Sequence, residues 1–157
     1  MNQYIAQETA VIDASAETIY RILIDYNDLN AHPAITPKHF FTKIEVVSGG
    51  IGDGTVVDVH CKVLGQTTQL TMTLIEAEKN RHLIEQDEAN GVRSEFFLRP
   101  INENKQTEVT IKTTGALGGG LRGWIEKRIT PRLLRPIYAE ELENLNQVAM
   151  TREQALV

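Results

Sequence analysis

With one cysteine, Cys61, in 157 residues, the chain has no internal disulfide available, which predicts a reducing compartment. No stretch approaches the roughly 18 consecutive apolar residues that a membrane-spanning helix needs. The opening MNQYIAQETAVID lacks a basic region followed by an apolar one, so no secretory signal is expected and the cytoplasm is the predicted location. There is little excess of positive charge anywhere but in one segment. The formal net charge is −5, which argues against general nucleic-acid binding, because phosphate contacts need a basic face.

Catalytic signatures are equally sparse. The four histidines, His32, His39, His60 and His82, include no pair four apart on a helix. His60 and Cys61 face opposite sides of one strand, so no metal site is expected. VVSGG is out of frame for a nucleophile elbow, GALGGGLRG lacks the Gly-Lys-Ser/Thr ending of a phosphate loop, and GGIGDG sits at hairpin spacing. No cofactor is implied. His32 and His39 share a loop and are candidates to meet at a cavity mouth.

What is present is alternation. QYIAQETAVID reads as a strand, and Asp13 and Ser15 offer N-cap oxygens to a short amphipathic helix over about 15–25. NDLNAHPAITPKHF reads as a broken second helix and loop. Six further strand signals follow. Val57, Val59, Cys61 and Val63 share one face, as do Leu70, Met72 and Leu74, then Val92, Phe96 and Leu98, then Val109 and Ile111. Each strand has one apolar and one polar side, the pattern of an antiparallel sheet wetted on one face. Leu134, Ile137, Tyr138, Leu142, Leu145 and Val148 then recur at helical spacing and supply a long helix to cover the apolar face. The expected architecture is α+β over a single domain, 1–157. It has a seven-stranded curved antiparallel sheet, two short helices after the first strand, and a long C-terminal helix kinked or broken near 130–136. Thr130-Pro131 reads as a helix restart, and Pro136 removes a further hydrogen bond.

That order resembles the helix-grip fold of the START-like superfamily, which takes in polyketide cyclases and dehydrases, lipid-transport domains and birch-pollen-allergen-like proteins. The resemblance rests on IDASAETIYRILIDYNDLNAHP (12–33), VVSGGIGDGTVVDV (46–59) and FFLRPINENKQTEVTIKTTG (96–115), and it covers essentially the whole chain. Ala31 stands where the family often has an aromatic before the His-Pro of the second short helix, and ITPKHFF looks extended, so no pocket contact is carried over there. The resemblance implies a cavity between sheet and last helix that takes an apolar small molecule. The residues expected to bind it are Val57, Val59, Leu70, Met72, Leu74, Phe96, Leu98, Ile111, Trp124 and Tyr138.

The basic residues gather in GALGGGLRGWIEKRITPRLLRPIY (115–138), where Arg122, Lys127, Arg128, Arg132 and Arg135 face one acid, Glu126. Gly119, Gly120, Leu121, Arg122, Arg128 and Arg132 are read as a gate, suited to transient contact with an anionic membrane. The competing reading is a core helix whose cations reach past its apolar stripe into water. The expected function is a binding or carrier protein for a lipid, quinone or polyketide-like molecule. The alternative is a polyketide cyclase/dehydratase-type enzyme in the same cavity, which needs converging polar groups. Gln86, Glu88, Ser94, Tyr138 and Arg128 are the candidates. A third possibility is a module that docks a protein or membrane through 121–135.

Overall fold

A computed structural model of the chain describes residues 2–63, 65–118 and 120–156, and the side chains of these outside 120–125. Strand β1 (Gln3–Ile12) is followed by helices α1 (Ala16–Ile24) and α2 (His32–Ile35). Strands β2 (Phe41–Ser48), β3 (Val56–Val63), β4 (Gln66–Glu78), β5 (His82–Asp87), β6 (Val92–Ile101) and β7 (Gln106–Ala116) come next, and helix α3 (Gly120–Ala155) ends the chain. The strands form one antiparallel sheet in the order β1-β7-β6-β5-β4-β3-β2. From β2 to β7 consecutive strands pair as hairpins, and β1 pairs with β7, from Gln3 opposite Ala116 to Ile12 opposite Thr107, so that β1 and β2 are the two edges.

The inward residues of each strand alternate with outward ones, and α3 lies across the inner face against β1, α1 and α2. Ile12, Ile19, Ile22, Leu83, Val109, Ile111, Leu142 and Leu145 are almost fully buried between these layers. Irregular pairing between β2 and β3, at Phe41/Lys43 and Val46/Ser48, accompanies the curvature of the sheet.

Helix α1 starts at Ser15, whose hydroxyl accepts from the Thr18 amide at 3.2 Å. Its far end is held by the glycine-rich turn. The Tyr26 amide donates to the Gly50 carbonyl at 2.7 Å, and the Gly52 amide donates to Ile24 at 2.9 Å. Gly50 has φ of 140°, and a Cβ there would stand 2.2 Å from the Asn27 side chain, so only glycine allows this close docking. The turn thereby fixes where Tyr26 points.

Helix α3 runs uninterrupted through Pro131 and Pro136. Of the kink or break expected near 130–136, the break is therefore absent. Proline removes one hydrogen bond and crowds the preceding turn, but Leu134, Ile137 and Tyr138 are buried on either side of Pro136 and hold the helix against the sheet. At the other end of α3, Glu153 accepts from the Ser15 amide at 2.6 Å and the Thr18 hydroxyl at 3.0 Å, tying the helix to α1.

Candidate functional site

Between the inner face of the sheet and α3 lies a cavity of about 250 Å³. Its sheet wall includes Val59, Leu70, Met72, Phe96 and Ile111, and Thr130, Leu134, Tyr138 and Glu141 line it from α3. These four helix positions recur every three or four residues, which places them on one side of the helix. Leu23, Tyr26, His32 and Ile35 close it from α1, α2 and the loop between them.

Of the sequence-predicted ligand contacts, Val59, Leu70, Met72, Phe96, Ile111 and Tyr138 stand in this wall. Val57, Leu74 and Leu98 do not. Each is buried two residues further along its strand, toward the end of the sheet that α1 covers, where Tyr20 of α1 donates to Glu76 of β4 at 2.8 Å. Gly119 and the side chains of Gly120, Leu121, Arg122 and Trp124 lie outside the described residues. Arg128 and Arg132 are exposed on α3, away from the cavity wall.

The segment from which no pocket contact was carried over contributes heavily, since His32, Ile35, Thr36, Phe40 and Phe41 all face the cavity. His32 stacks on Tyr26 with ring centroids 4.1 Å apart, and its Nε2 lies 3.2 Å from the Leu23 carbonyl. That geometry makes Nε2–H the donor. Burial pushes its pKa down, against the carbonyl contact, and keeps the ring neutral. His39 does not join it; its Nδ1 lies 3.6 Å from Glu140 on the surface. Among the described residues no group of His, Cys, Asp and Glu is arranged to hold a metal ion.

A polar line crosses the apolar floor. Glu85 of β5 stands opposite Ser94 of β6, and Ser94 stands opposite Thr113 of β7. The Ser94 and Thr113 hydroxyls are 2.8 Å apart, and Thr113 Oγ1 is 2.5 Å from the Tyr138 hydroxyl that reaches down from α3. The Tyr26 hydroxyl donates to Glu85. Glu141, one turn beyond Tyr138, faces the same space.

Burial raises the pKa of Glu85, although the Tyr26 hydrogen bond opposes the shift. Burial, reinforced by the charge of Glu85, pushes Glu141 up to about 8, so it is mainly protonated at neutral pH. Burial also raises Tyr138, and pushes the Cys61 thiol up to about 11, which leaves it an unreactive wall residue. The cavity thus offers hydroxyl donors, one carboxyl held as the acid, and a second held by a tyrosine.

Gln86 and Glu88, polar candidates for the cavity in the sequence, point the other way and bond to each other at 3.2 Å on the outer face. The strand has the opposite facing because Leu83 and Glu85 pair with Phe96 and Ser94, which are inward. Glu141 was missed as well. The signal was its place in the apolar stripe, three residues after Tyr138 and four before Leu145.

The geometry has known counterparts. The structure is similar over 96% of the chain to the KanY protein solved by NMR, at 28% identity, covering 99% of that chain with a TM-score of 0.80. It is similar in fold to the Zhui aromatase/cyclase of Streptomyces sp. R1128, at 16% identity over 96% of this chain and 95% of that one, TM-score 0.70. A norcoclaurine synthase of Thalictrum flavum shares the fold at 16% identity over 96% of both chains, TM-score 0.68. No curated protein sequence matches the chain. The family model described as polyketide cyclase / dehydrase and lipid transport matches residues 4–150, nearly the full length of a chain whose sheet, grip helix and cavity have the START-like form. The chain belongs to the polyketide cyclase/dehydrase and lipid transport family.

Proposed function

We propose that the protein binds a compact, largely apolar small molecule between its sheet and α3. The observation that carries this reading is the cavity itself. About 250 Å³ stays open under a long helix, walled by Phe, Leu, Ile, Val and Met side chains with a few placed polar groups. Ligand pockets run from roughly 300 to 1,000 Å³ for drug-sized molecules, so this one suits a ligand of one or two rings or a short branched chain. Lipid, quinone and polyketide-like molecules remain the classes to test, in their smaller members.

A second reading is catalysis of the cyclase/dehydratase type, the chemistry named for the family. It is favoured by convergence: Glu85, Glu141 and Tyr138 face one space, and Glu141 is protonated at a pH where an exposed glutamate is not. A carboxyl acid beside a carboxylate base is the arrangement that moves a proton from carbon to a leaving hydroxyl.

The outward side of α3 is read as the entry gate. Ile129 is 41% exposed between the exposed Arg128 and Arg132, while Thr130 and Leu134 of the same turns line the cavity. Salt-sensitive binding to phosphatidylserine vesicles, absent with phosphatidylcholine, is the expected sign of membrane contact here.

Native mass spectrometry of the purified protein, before and after solvent extraction, tests the main reading. A discrete bound mass that extraction removes is expected. An unliganded mass that stays unliganded after incubation with neutral, acidic and basic hydrophobic compounds overturns it.

A further inference from the structure

The polar groups of the cavity divide into those that satisfy one another and those that do not, and of the second kind Glu141 is the one carboxyl among the described residues. Tyr138, Thr113 and Ser94 bond in series, Tyr26 serves Glu85, and His32 serves a backbone carbonyl. Glu141 makes no hydrogen bond or ion pair among the described residues, and it is half-buried and faces the open space. No protein group among the described residues serves this carboxyl, so it is free to bond an atom of whatever occupies the space.

Charge then decides which atom. Two carboxyl groups, one from the sheet and one from the helix, face the same cavity, and the described lining residues include no lysine or arginine. His32 is held neutral. The two carboxyls sense each other, since the charge of Glu85 is one reason that Glu141 keeps its proton. An anionic ligand, such as a fatty acid, meets repulsion from this pair. A neutral hydroxyl or carbonyl satisfies one hydrogen bond and leaves Glu141 holding its proton. A cation placed between them satisfies Glu141 and relieves the repulsion together, in a setting of low dielectric where such pairing is strong. The remaining wall agrees: the rings of Tyr4, Tyr26, Phe40, Phe41 and Phe96 surround the same space, and aromatic faces attract cations.

We propose that the cavity selects a compact ligand with an apolar body and a protonated basic nitrogen, which is held between Glu85 and Glu141. This rests on the reading of the cavity as a small-molecule site and names the ligand's chemical class.

Calorimetric titration at one pH and salt concentration tests it with four probes of similar size. These are 2-phenylethylamine, its uncharged counterpart 2-phenylethanol, the anion 3-phenylpropanoate, and naphthalene as a purely apolar occupant. The amine is expected to bind roughly tenfold tighter than the alcohol, the size of a desolvated cation contact, and the anion most weakly. Glu85→Gln and Glu141→Gln are each expected to bring the amine-to-alcohol ratio toward one, and naphthalene binding by the variants reports that the cavity is still formed. An alcohol that binds as tightly as the amine, with naphthalene binding intact, overturns the cation preference and leaves the cavity reading standing. Failure of all four probes to bind wild-type protein overturns both.

Discussion

Tyr4 lies over the backbone of Gly115, its partner across the β1–β7 ladder, so closely that a Cβ on Gly115 would stand 2.2 Å from the Tyr4 ring. The glycine is needed for space, because it lets the ring fold over the strand and enter the cavity wall. Gly115→Ala is expected to turn Tyr4 out of the cavity and to destabilise by about 1–3 kcal/mol, the usual range for overpacking. In a Tyr4→Ala background the same alanine no longer meets the ring and its cost shrinks. A double-mutant cycle by urea denaturation measures this, and equal costs in both backgrounds refute the contact.

The hydroxyl chain makes a graded prediction. Tyr138→Phe removes the end member, while Thr113 keeps its bond to Ser94. A loss of about 0.5–1.5 kcal/mol is expected. Thr113→Val removes the middle member, which is buried, and strands both neighbours. It is expected to cost more, about 1–3 kcal/mol. Denaturation midpoints decide the order, and a valine variant as stable as the phenylalanine variant shows that Ser94 and Tyr138 find other partners.

Much of this site is legible in the sequence, and the remainder was not reached for two reasons. Alternation places Val59, Met72, Phe96 and Ile111 inward, because one face of each strand is apolar throughout. In β5 both faces carry one aliphatic residue and two polar ones, so alternation alone cannot choose. The hairpin can: residues opposite each other share a face, and any turn that pairs Asp87 with Val92 puts Glu85 inside with Ser94. On α3, Glu141 sits in the buried stripe, but a charged residue there is easily taken as the stripe's edge. Only the cavity shows why it is tolerated. The packing of His32 on Tyr26 depends on α1, α2 and the glycine turn meeting in space, and no local pattern encodes that.

Pro136 is exposed and stands inside a continuous helix, where it deprives the Arg132 carbonyl of its usual partner. Pro136→Ala restores that bond, offset by the roughly 0.4–1 kcal/mol that proline gains by stiffening the unfolded chain. A net stabilisation of about 2–2.5 kcal/mol is expected, since interior proline costs about 3 kcal/mol. An alanine variant that is neutral or weaker shows instead that the helix is bent at this point and that proline suits the bend.

The protonation of Glu141 gives the pH dependence its sign. Its folded pKa, about 8, lies above the value of 4.5 for an exposed glutamate, so between those limits the folded protein binds more protons than the unfolded chain. Stability from this group is therefore complete below about pH 4.5 and is lost as pH rises toward 8. Glu85 is shifted in the same direction and adds to the slope. The titratable groups facing the pair are Tyr4, Tyr26, Cys61 and Tyr138, all raised and uncharged in this range, and His32, which is held neutral. Glutamine at 141 carries no charge at any pH, so Glu141→Gln is expected to match wild type near pH 5 and to exceed its stability at pH 8.5 by a margin on the order of a few kcal/mol. Urea denaturation across this range reads the difference directly. A gap that stays constant with pH would mean that Glu141 titrates in the folded protein as it does in the unfolded chain. A bound amine favours the ionised form of Glu141, so adding 2-phenylethylamine to wild type is expected to flatten the slope while leaving the shape of the glutamine variant's profile unchanged.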